Sequence, residues 1–136
     1  MSLRERIKKH EGCVTVPYYD SENVLTVGIG RNLRDVPFSQ DEIELMFTND
    51  LRRARGNAMK FECYADLDPM RQGVLTEMVF QMGFAGVSKF KKFLAAANNH
   101  DWATAAEEML DSKWAKQTPE RAKTLAKLFL RGVSER

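Results

Sequence analysis

The sequence predicts an α+β fold that is mostly helical and has two lobes. Two observations lead to this prediction. β-Branched residues concentrate in residues 13–33, as VTV and VLTVGIG around the polar turn DSEN. Helix caps and helix-ending glycines fill most of the remaining chain. We therefore expect one domain over 1–136, with a hairpin lobe at approximately 1–36, a linking helix and helical lobe over 37–136, and a ligand cleft between the lobes.

The first helix and the hairpin follow directly from local signals. Ser2-x-x-Glu5 is a capping box, and Gly12 is suited to end the helix that it opens. The β-branched run that follows predicts a small antiparallel hairpin or meander, which ends before Pro37.

Capping signals then predict a series of helices. Ser39-x-x-Glu42 opens the linking helix, in which apolar residues recur at helical spacing at Ile43, Met46, Phe47 and Leu51. Four later helices are predicted. One begins at Asp68–Pro69 and ends at Gly83, and the next runs from Ser88 to about Ala97. A third begins at Asp101, and the last begins at Thr118–Pro119 and ends at Gly132. Trp102 and Trp114 are expected to anchor the core of the helical lobe.

Composition limits the class of protein. At 15.6 kDa, with 43% hydrophobic and 29% charged residues, the chain is typical of one globular domain. No apolar run approaches the ~20 residues of a membrane span, and the charged N-terminus has no apolar segment of a secretory signal. We expect a protein made in the cytoplasm without stable membrane insertion. A net charge of +2 does not indicate nucleic acid as a partner.

The chain is more basic from Lys113 onward than before it. Seven cations, opposed by two glutamates, occur there: Lys113, Lys116, Arg121, Lys123, Lys127, Arg131 and Arg136. This pattern is compatible with the solvated face of a terminal helix. It is also compatible with a cationic, non-catalytic protein that binds or disrupts bacterial envelopes, and the sequence leaves that alternative open.

Two cysteines, Cys13 and Cys63, do not form a disulfide framework, although their pairing stays open. Together with His10 and His100 they would have to converge to bind zinc, and either cysteine with His100 would resemble a nucleophilic pair. Neither arrangement has a recognisable local motif. Gly28-Ile29-Gly30 lacks the third glycine and the following helix of a dinucleotide site, so no metal or cofactor is expected.

Two carboxylates beside the hairpin indicate a hydrolytic site. Glu11 ends the first helix, where the carbonyl groups disfavour a second negative charge, and partial burial would act in the same direction. A protonated carboxyl is what a general acid needs. Asp20 lies in a polar turn and should stay ionised. Such a pair is typical of glycosidases, although spacing alone does not distinguish it from a surface glutamate and a turn aspartate.

The pattern EG-x5-Y-x-D-x5-T-x-GIG over residues 11–30 resembles the bacteriophage lysozymes, the endolysin family of muramidases. VFQMG at 79–83, GV at 86–87 with Phe90, Lys113-Trp114, QTP at 117–119 and RAK at 121–123 resemble that family in the same order. The resemblance implies a lysozyme-like fold. It also implies cleavage of the β-1,4 bond between N-acetylmuramic acid and N-acetylglucosamine in peptidoglycan, with inversion.

The resemblance also implies roles for individual residues. Glu11 would be the general acid, Asp20 the carboxylate that orients or activates water, and Thr26 a hydroxyl that helps to hold the water. Gly28 and Gly30 would let the backbone approach a sugar, and Arg121 would pair with Glu11. Positions at which relatives contact sugar or peptide are occupied by Asn32, Phe80, Phe93 and Glu108.

By the same resemblance, the protein would be a monomer that lyses host cells and releases phage. It would stay in the host cytoplasm until a holin lets it reach the periplasm and cell wall. One departure stands out, because Arg31 occupies the position where a histidine often follows GIG. The stabilising pair that this histidine makes is therefore not expected in the same form.

Overall fold

The structure is a computed structural model, and it describes residues 1–132. The chain forms two compact units, Met1–Leu45 and Met46–Arg136. Within the described residues, seven α-helices and one three-stranded sheet confirm the mostly helical α+β fold class. The division between the units falls inside the long second helix, whereas the sequence placed it just before that helix.

The secondary structure has the following bounds. The helices are α1 (Leu3–Glu11), α2 (Gln40–Ala58), α3 (Pro69–Ser88), α4 (Lys91–Asn98), α5 (Trp102–Leu110), α6 (Lys113–Gln117) and α7 (Pro119–Arg131). The strands are β1 (Val14–Tyr19), β2 (Leu25–Gly28) and β3 (Arg31–Asn32), and a single 3₁₀ turn covers Tyr64–Asp66.

Helix α1 begins and ends as its sequence predicts. Ser2 Oγ accepts the Glu5 N–H at 3.0 Å, and Glu5 Oε1 accepts the Ser2 N–H at 2.8 Å, which completes the capping box. At the other end, Gly12 has φ +79° and donates its N–H to the Lys8 carbonyl. Because α1 buries none of its residues, these two caps rather than packing define where it lies along the chain.

The predicted hairpin is a three-stranded antiparallel meander in the order β1-β2-β3. Tyr18 pairs with Thr26, and Thr26 pairs with Asn32. The register of β1 shifts between Val14 and Tyr18, in the segment that contains Pro17, which has no N–H to give to the ladder. The sheet buries Val24 and Thr26, so the first unit has only a very small interior.

The second unit contains the main hydrophobic core. Helix α7 packs against α3, α5 and α6, and α4 packs against α5. The largest fully buried side chains are Phe93, Phe129, Leu75, Met78, Met109 and Val87. Trp114 is buried and Trp102 packs against the core, which confirms the expectation that both tryptophans are core anchors.

Helix α2 is apolar at helical spacing but buries little. Ile43, Met46 and Phe47 stay exposed, and only Ala54 and Ala58 of this helix enter the core. The periodicity therefore predicted the helix correctly, and Ile43, Met46 and Phe47 lie outside the core. Small residues in its last two turns are what the core of the second unit accepts.

The break near Gly83 differs in detail from the prediction. Gly83 interrupts the helical backbone of α3 with φ +78°, as expected of a helix-ending glycine, but a short helical piece follows it as far as Ser88. Ser88 was predicted to begin the next helix, and that prediction is wrong because α4 starts at Lys91. The Ser88 hydroxyl instead donates back to the Phe84 carbonyl at 2.7 Å.

Short helical elements were not predicted. Helix α6 has five residues and is capped by Ser112, whose Oγ accepts the Ala115 N–H at 3.1 Å. A single serine cap before so short a segment is a weak signal, since the apolar pattern needs several turns to repeat.

Cys63, at the start of the 3₁₀ turn, is buried, while Cys13 is exposed, and both are free thiols. Their pairing, left open by the sequence, does not occur.

No helix among residues 1–132 has the length and apolar character needed to cross a membrane.

The basic C-terminal region lies largely on α6 and α7, while Arg136 lies outside the described residues. Helix α7 buries Ala122, Leu125, Ala126 and Phe129, so it is part of the core of the second unit.

A buried arginine closes the end of α7 onto α3. The Arg71 guanidinium donates to the Phe129 carbonyl at 2.5 Å, to the Leu130 carbonyl at 2.9 Å and to Asp68 Oδ1 at 2.9 Å. It also lies 3.9 Å from the centroid of the Trp102 ring. One cation thus satisfies the carbonyl end of α7 and the carboxylate that caps α3.

We predict that Arg71→Met lowers the free energy of unfolding by about 3–5 kcal/mol, because it removes a buried cation that pairs with Asp68 and leaves the Phe129 and Leu130 carbonyls without their donor. Arg53→Met is the matched control, since Arg53 pairs with Asp50 at the same i, i+3 spacing but is 67% exposed. The control should cost less than about 1 kcal/mol. Urea unfolding of both variants measures the difference, and equal losses would contradict the role given to Arg71.

Candidate active site

Glu11 occupies the last position of α1, directly before the Gly12 cap. The side chain is exposed, and its partial burial against the other lobe stays a prediction. Within Met1–Leu45, no donor forms a hydrogen bond to its carboxyl. The helix end therefore fixes the backbone of Glu11 and leaves its carboxyl without a hydrogen-bond donor from the first unit.

The Glu11 side chain lies against the backbone of Gly30. A methyl group built on Gly30 would lie 2.6 Å from Glu11 Oε1 and 2.9 Å from its Cδ, closer than real contacts allow. Gly30 also has φ +70°, a conformation that disfavours other residues. The positive φ of the turn between β2 and β3 favours glycine at position 30, and any side chain there would make the Glu11 carboxyl move aside.

Asp20 follows β1 and fixes the tight turn into β2. Its Oδ1 accepts the backbone N–H groups of Glu22 and Val24, each at 2.9 Å. Its own N–H donates to the Val24 carbonyl at 3.0 Å, so the ladder continues through Asp20. Among the described residues, hydrogen bonds to the carboxylate engage Oδ1, which leaves Oδ2 available to a water or ligand.

Thr26 is in the middle of β2 and is only 4% exposed. Its hydroxyl donates to the Val24 carbonyl at 2.8 Å. Because a hydroxyl has a single hydrogen, Thr26 Oγ1 can only accept a hydrogen bond from any further partner. This detail was not available from the sequence.

The sheet register brings Asp20, Thr26 and Asn32 to one face. Tyr18, Thr26 and Asn32 are directly paired across the three strands, and paired residues in a sheet point to the same side. Asp20 follows Tyr18 by two residues, so it has the same orientation. The predicted catalytic aspartate and threonine are therefore neighbours on this face, together with one of the predicted substrate contacts.

Asn32 is largely used within its own turn. Its Oδ1 accepts the N–H groups of Arg34 and Asp35, at 2.9 Å and 3.0 Å, and its amide donates to Asp35 Oδ2 at 3.0 Å. One amide hydrogen remains for another partner. Asn32 is thus firmly oriented by local contacts, as a turn residue commonly is.

Arg31 makes an ion pair of its own, with Glu42 in the first turn of α2. Arg31 Nη1 donates to Glu42 Oε1 at 3.2 Å, and Nη2 donates to Oε2. Hydrogen bonds from Arg31 and then from the Ser39 backbone lower the pKa of Glu42 to about 2. The capping box had suggested only a helix cap at Glu42, so this second role was missed.

Phe80 lies on the exposed side of α3 in the second unit. Its ring is 41% exposed and meets Phe47 edge to face at 5.9 Å between centroids. It lines a cavity of about 300 Å³ together with polar side chains that include Asp50, Arg53 and Asn57. Within this unit, an exposed aromatic ring among polar groups is suited to contact a sugar face.

Phe93 and Glu108 meet at a larger cavity of about 840 Å³ in the second unit. Phe93 is only 1% exposed and packs on Phe90 and Phe129, so it supports the cavity from the core. Glu108 is half-buried. Trp114, also in the lining, donates its indole N–H to Gln81 Oε1 at 2.9 Å.

Lysines that the sequence reasoning missed surround this cavity. The charged residues in its lining are Lys89, Lys91, Lys92, Lys113, Glu108 and Asp111. Four cations against two carboxylates favour an anionic ligand. The run KFKK at 89–92 was the signal in the sequence, but lysines on a helix are usually only solvated.

Arg121 was expected to pair with Glu11. In the second unit its Nε donates to Glu77 Oε2 at 2.9 Å, and both side chains are partly exposed. The sequence reasoning had not considered Glu77, although it lies within the same helix as VFQMG. The Arg121–Glu11 pair itself stays a prediction.

The described residues contain no group of three histidine, cysteine or acidic side chains that could hold a metal ion. The predicted catalytic groups of the first unit are two carboxyls and one hydroxyl: an exposed carboxyl beside Gly30, a carboxylate fixed by two backbone amides, and a buried hydroxyl that can only accept. Such groups suit proton transfer and water activation.

Comparison with known proteins agrees with this chemistry. The phage lysozyme family model matches residues 8–135. Probable T4-type lysozyme 2 of Dictyostelium discoideum is 30% identical, with 97% of this chain and 95% of the relative aligned, and probable T4-type lysozyme 1 of the same organism is 28% identical over the same shares.

A third relative is a phage structural protein. The pre-baseplate central spike protein Gp5 of Enterobacteria phage T4 is 27% identical over 99% of this chain, which corresponds to 28% of that longer protein. The sequence resemblance to phage lysozymes is confirmed by these matches. Since the family model covers nearly all of it, the chain belongs to the phage lysozyme family, whose enzymes hydrolyse peptidoglycan.

Proposed function

We propose that the chain cleaves the β-1,4 bond between N-acetylmuramic acid and N-acetylglucosamine by single-displacement, inverting hydrolysis. Glu11 is the general acid, Asp20 the carboxylate that activates water, and Thr26 the hydroxyl that orients it. The observation that carries the proposal is the shared sheet face of Asp20 and Thr26, with Glu11 packed on the next turn at Gly30.

The hydrogen bonds of Asp20 and Thr26 suit a bound nucleophilic water. Asp20 Oδ1 is engaged by two backbone amides, so Oδ2 can accept one hydrogen of the water. Thr26 Oγ1 has donated its hydrogen to Val24 and can accept the other. A water held by both hydrogens directs its lone pairs away from the protein, toward an anomeric carbon.

Glu11 supplies the proton to the departing sugar oxygen. Its carboxyl is accessible, and the contact with Gly30 restricts where it can lie. Inversion needs room for a water between acid and base, with carboxyl groups ~6.5–9.5 Å apart. A carboxylate that is turned toward water by backbone amides suits this role better than that of a nucleophile.

We further propose that the lysine-rich cavity near Glu108 binds the peptide-bearing part of the substrate. Peptidoglycan stem peptides carry carboxylates, which four lysines would attract. The apolar lining, to which Phe90, Phe93 and Trp114 contribute, suits the aliphatic parts of the same peptides. Phe80 and Asn32 are proposed sugar contacts on their respective units.

For the cellular role we propose bacterial lysis by a monomeric endolysin that a holin releases to the cell wall. The similarity to a phage T4 spike protein supports a phage setting. The relatives from Dictyostelium indicate that the same family also occurs in a cellular organism.

We predict that wild-type protein releases the α-anomer first from purified peptidoglycan, because a single displacement at a β-linked carbon inverts it. Proton NMR of the new reducing ends, recorded before mutarotation, measures this. Glu11→Gln and Asp20→Asn should each lower the rate of reducing-end release by about 10²–10⁴-fold, since an amide neither donates the acid proton nor accepts the proton of water as a carboxylate does.

Other outcomes point to other mechanisms. Initial β-anomer would mean retention, with Asp20 as nucleophile. Clearing of cell walls without new reducing ends, unchanged in Glu11→Gln but lost when Lys116, Lys123 and Lys127 are replaced by glutamine, would support the envelope-disrupting alternative and contradict the proposal.

We predict that Gly30→Ala lowers kcat by about 10²-fold, because its methyl group displaces the Glu11 carboxyl. Gly83→Ala is the matched control: Gly83 has nearly the same φ, +78°, but a methyl group there meets no atom within 4 Å. Both variants should lose about 1–2 kcal/mol of stability from backbone strain. Equal kcat for the two variants would contradict the role of the Glu11–Gly30 contact.

We predict that Thr26→Val lowers kcat by about 10²-fold and that Thr26→Ser stays within a few-fold of wild type. Valine keeps the branched shape but has no oxygen to accept a hydrogen from water, whereas serine keeps the hydroxyl. Steady-state turnover of soluble peptidoglycan measures both. Thermal unfolding should accompany it, since valine also removes the donor to the Val24 carbonyl.

A further inference from the structure

The ion pair between Arg31 and Glu42 links the sheet of the first unit to the start of α2. Arg31 is the first residue of β3, and Glu42 lies in the first turn of α2. The two side chains are 29% and 39% exposed, so water screens the pair only in part. Two N–H groups of the guanidinium face the two carboxylate oxygens, an arrangement that fixes direction as well as distance.

Contacts with other residues orient both side chains of the ion pair. Glu42 Oε1 accepts the Ser39 N–H at 2.8 Å, and the Glu42 N–H donates to Ser39 Oγ at 3.2 Å, so the capping box orients the carboxylate. The Arg31 guanidinium lies 5.6 Å from the centroid of the Phe38 ring. The pair therefore costs little additional side-chain ordering.

Arg31 directly follows Gly30, the residue against which the Glu11 carboxyl packs. On the other side of this turn, the ladder pairs Val27 with Arg31. Strand β3 has only two residues, and so short a strand does not fix a turn by its ladder alone. The side chain of Arg31 supplies a second attachment, to α2.

From this geometry we propose that Arg31 and Glu42 are positioning residues for the general acid: their ion pair holds the turn at Gly30, and the backbone of that turn limits on one side where the Glu11 carboxyl can lie. The proposal rests on the proposed function, because it takes Glu11 as the proton donor. Neither residue touches the reacting atoms. The pair acts through the backbone of one turn.

Isosteric variants test this role. Glu42→Gln keeps an oxygen for the Ser39 N–H and so keeps the capping box, but it removes the charge that binds Arg31. Arg31→Gln removes the other partner, and Arg31→Lys keeps a cation that contacts the carboxylate without the fork. Arg34→Gln is the matched control, since Arg34 forms an exposed ion pair with Asp35 in the same segment.

We expect Glu42→Gln and Arg31→Gln each to lower kcat on soluble peptidoglycan by at least about tenfold, because small displacements of a reacting group are costly. KM should stay within about twofold, since binding contacts are unchanged. The double variant should be no slower than the slower single variant, because both changes remove the same pair. Arg31→Lys should recover part of the rate, and Arg34→Gln should match wild type.

Two results would overturn the inference: wild-type kcat in both single variants, or losses that multiply in the double variant. A matching loss in Arg34→Gln would also overturn it, as an effect of surface charge in general. Glu11→Gln separates this inference from the proposed function. If Glu11→Gln is inactive while the Arg31 and Glu42 variants are fully active, only the positioning role fails; if Glu11→Gln keeps full activity, the proposed function itself fails.

Discussion

The contact between the Glu11 carboxyl and the backbone of Gly30 constrains the rest of the candidate site. It favours glycine at position 30, since a methyl group there would lie 2.6 Å from a carboxyl oxygen and the carboxyl would have to move aside. It also requires the turn between β2 and β3 to stay where the end of α1 can reach it. The Gly12 cap ends α1 at Glu11, and the sheet register then determines where Asp20 and Thr26 face. The position of the Glu11 carboxyl therefore depends on both the end of α1 and the turn at Gly30.

The two units are stabilised by different kinds of interaction. The second unit has an extended apolar core, and its one strongly buried cation, among the residues described, is enclosed by carbonyls, a carboxylate and an aromatic ring. The first unit buries only Val24 and Thr26. Its order comes from directed hydrogen bonds: a capping box at each helix start, an aspartate turn at Asp20, and the Arg31–Glu42 pair. Directed bonds suit an active site, because they fix orientation where there is little core to pack against.

Local signals in the sequence predicted the scaffold well and its contacts poorly. Capping boxes and terminal glycines act within a few residues, so α1 and the break at Gly83 could be found from the sequence. Helix α6 could not, because five residues are too few for periodicity. The partners of Arg31 and Arg121 lie 11 and 44 residues away, and no local pattern connects them. Likewise, Glu11 and Asp20 were identified as a pair through the family pattern. The contact between Glu11 and Gly30 was not predicted, because no local sequence pattern connects the two residues.

The two carboxyl groups have different local surroundings, and this difference suits the different roles proposed for them. Asp20 Oδ1 accepts two backbone amides, which fix the carboxyl group in the turn and leave Oδ2 available to another partner. Glu11 receives no such bonds within its unit and is held only by contact with a backbone that lacks a side chain. A group that must give up its proton in the reaction gains nothing from donors that favour its charged form beforehand. A group that must remain a carboxylate does gain from them, and the tight turn at 20–24 supplies these donors at no cost to the rest of the sheet.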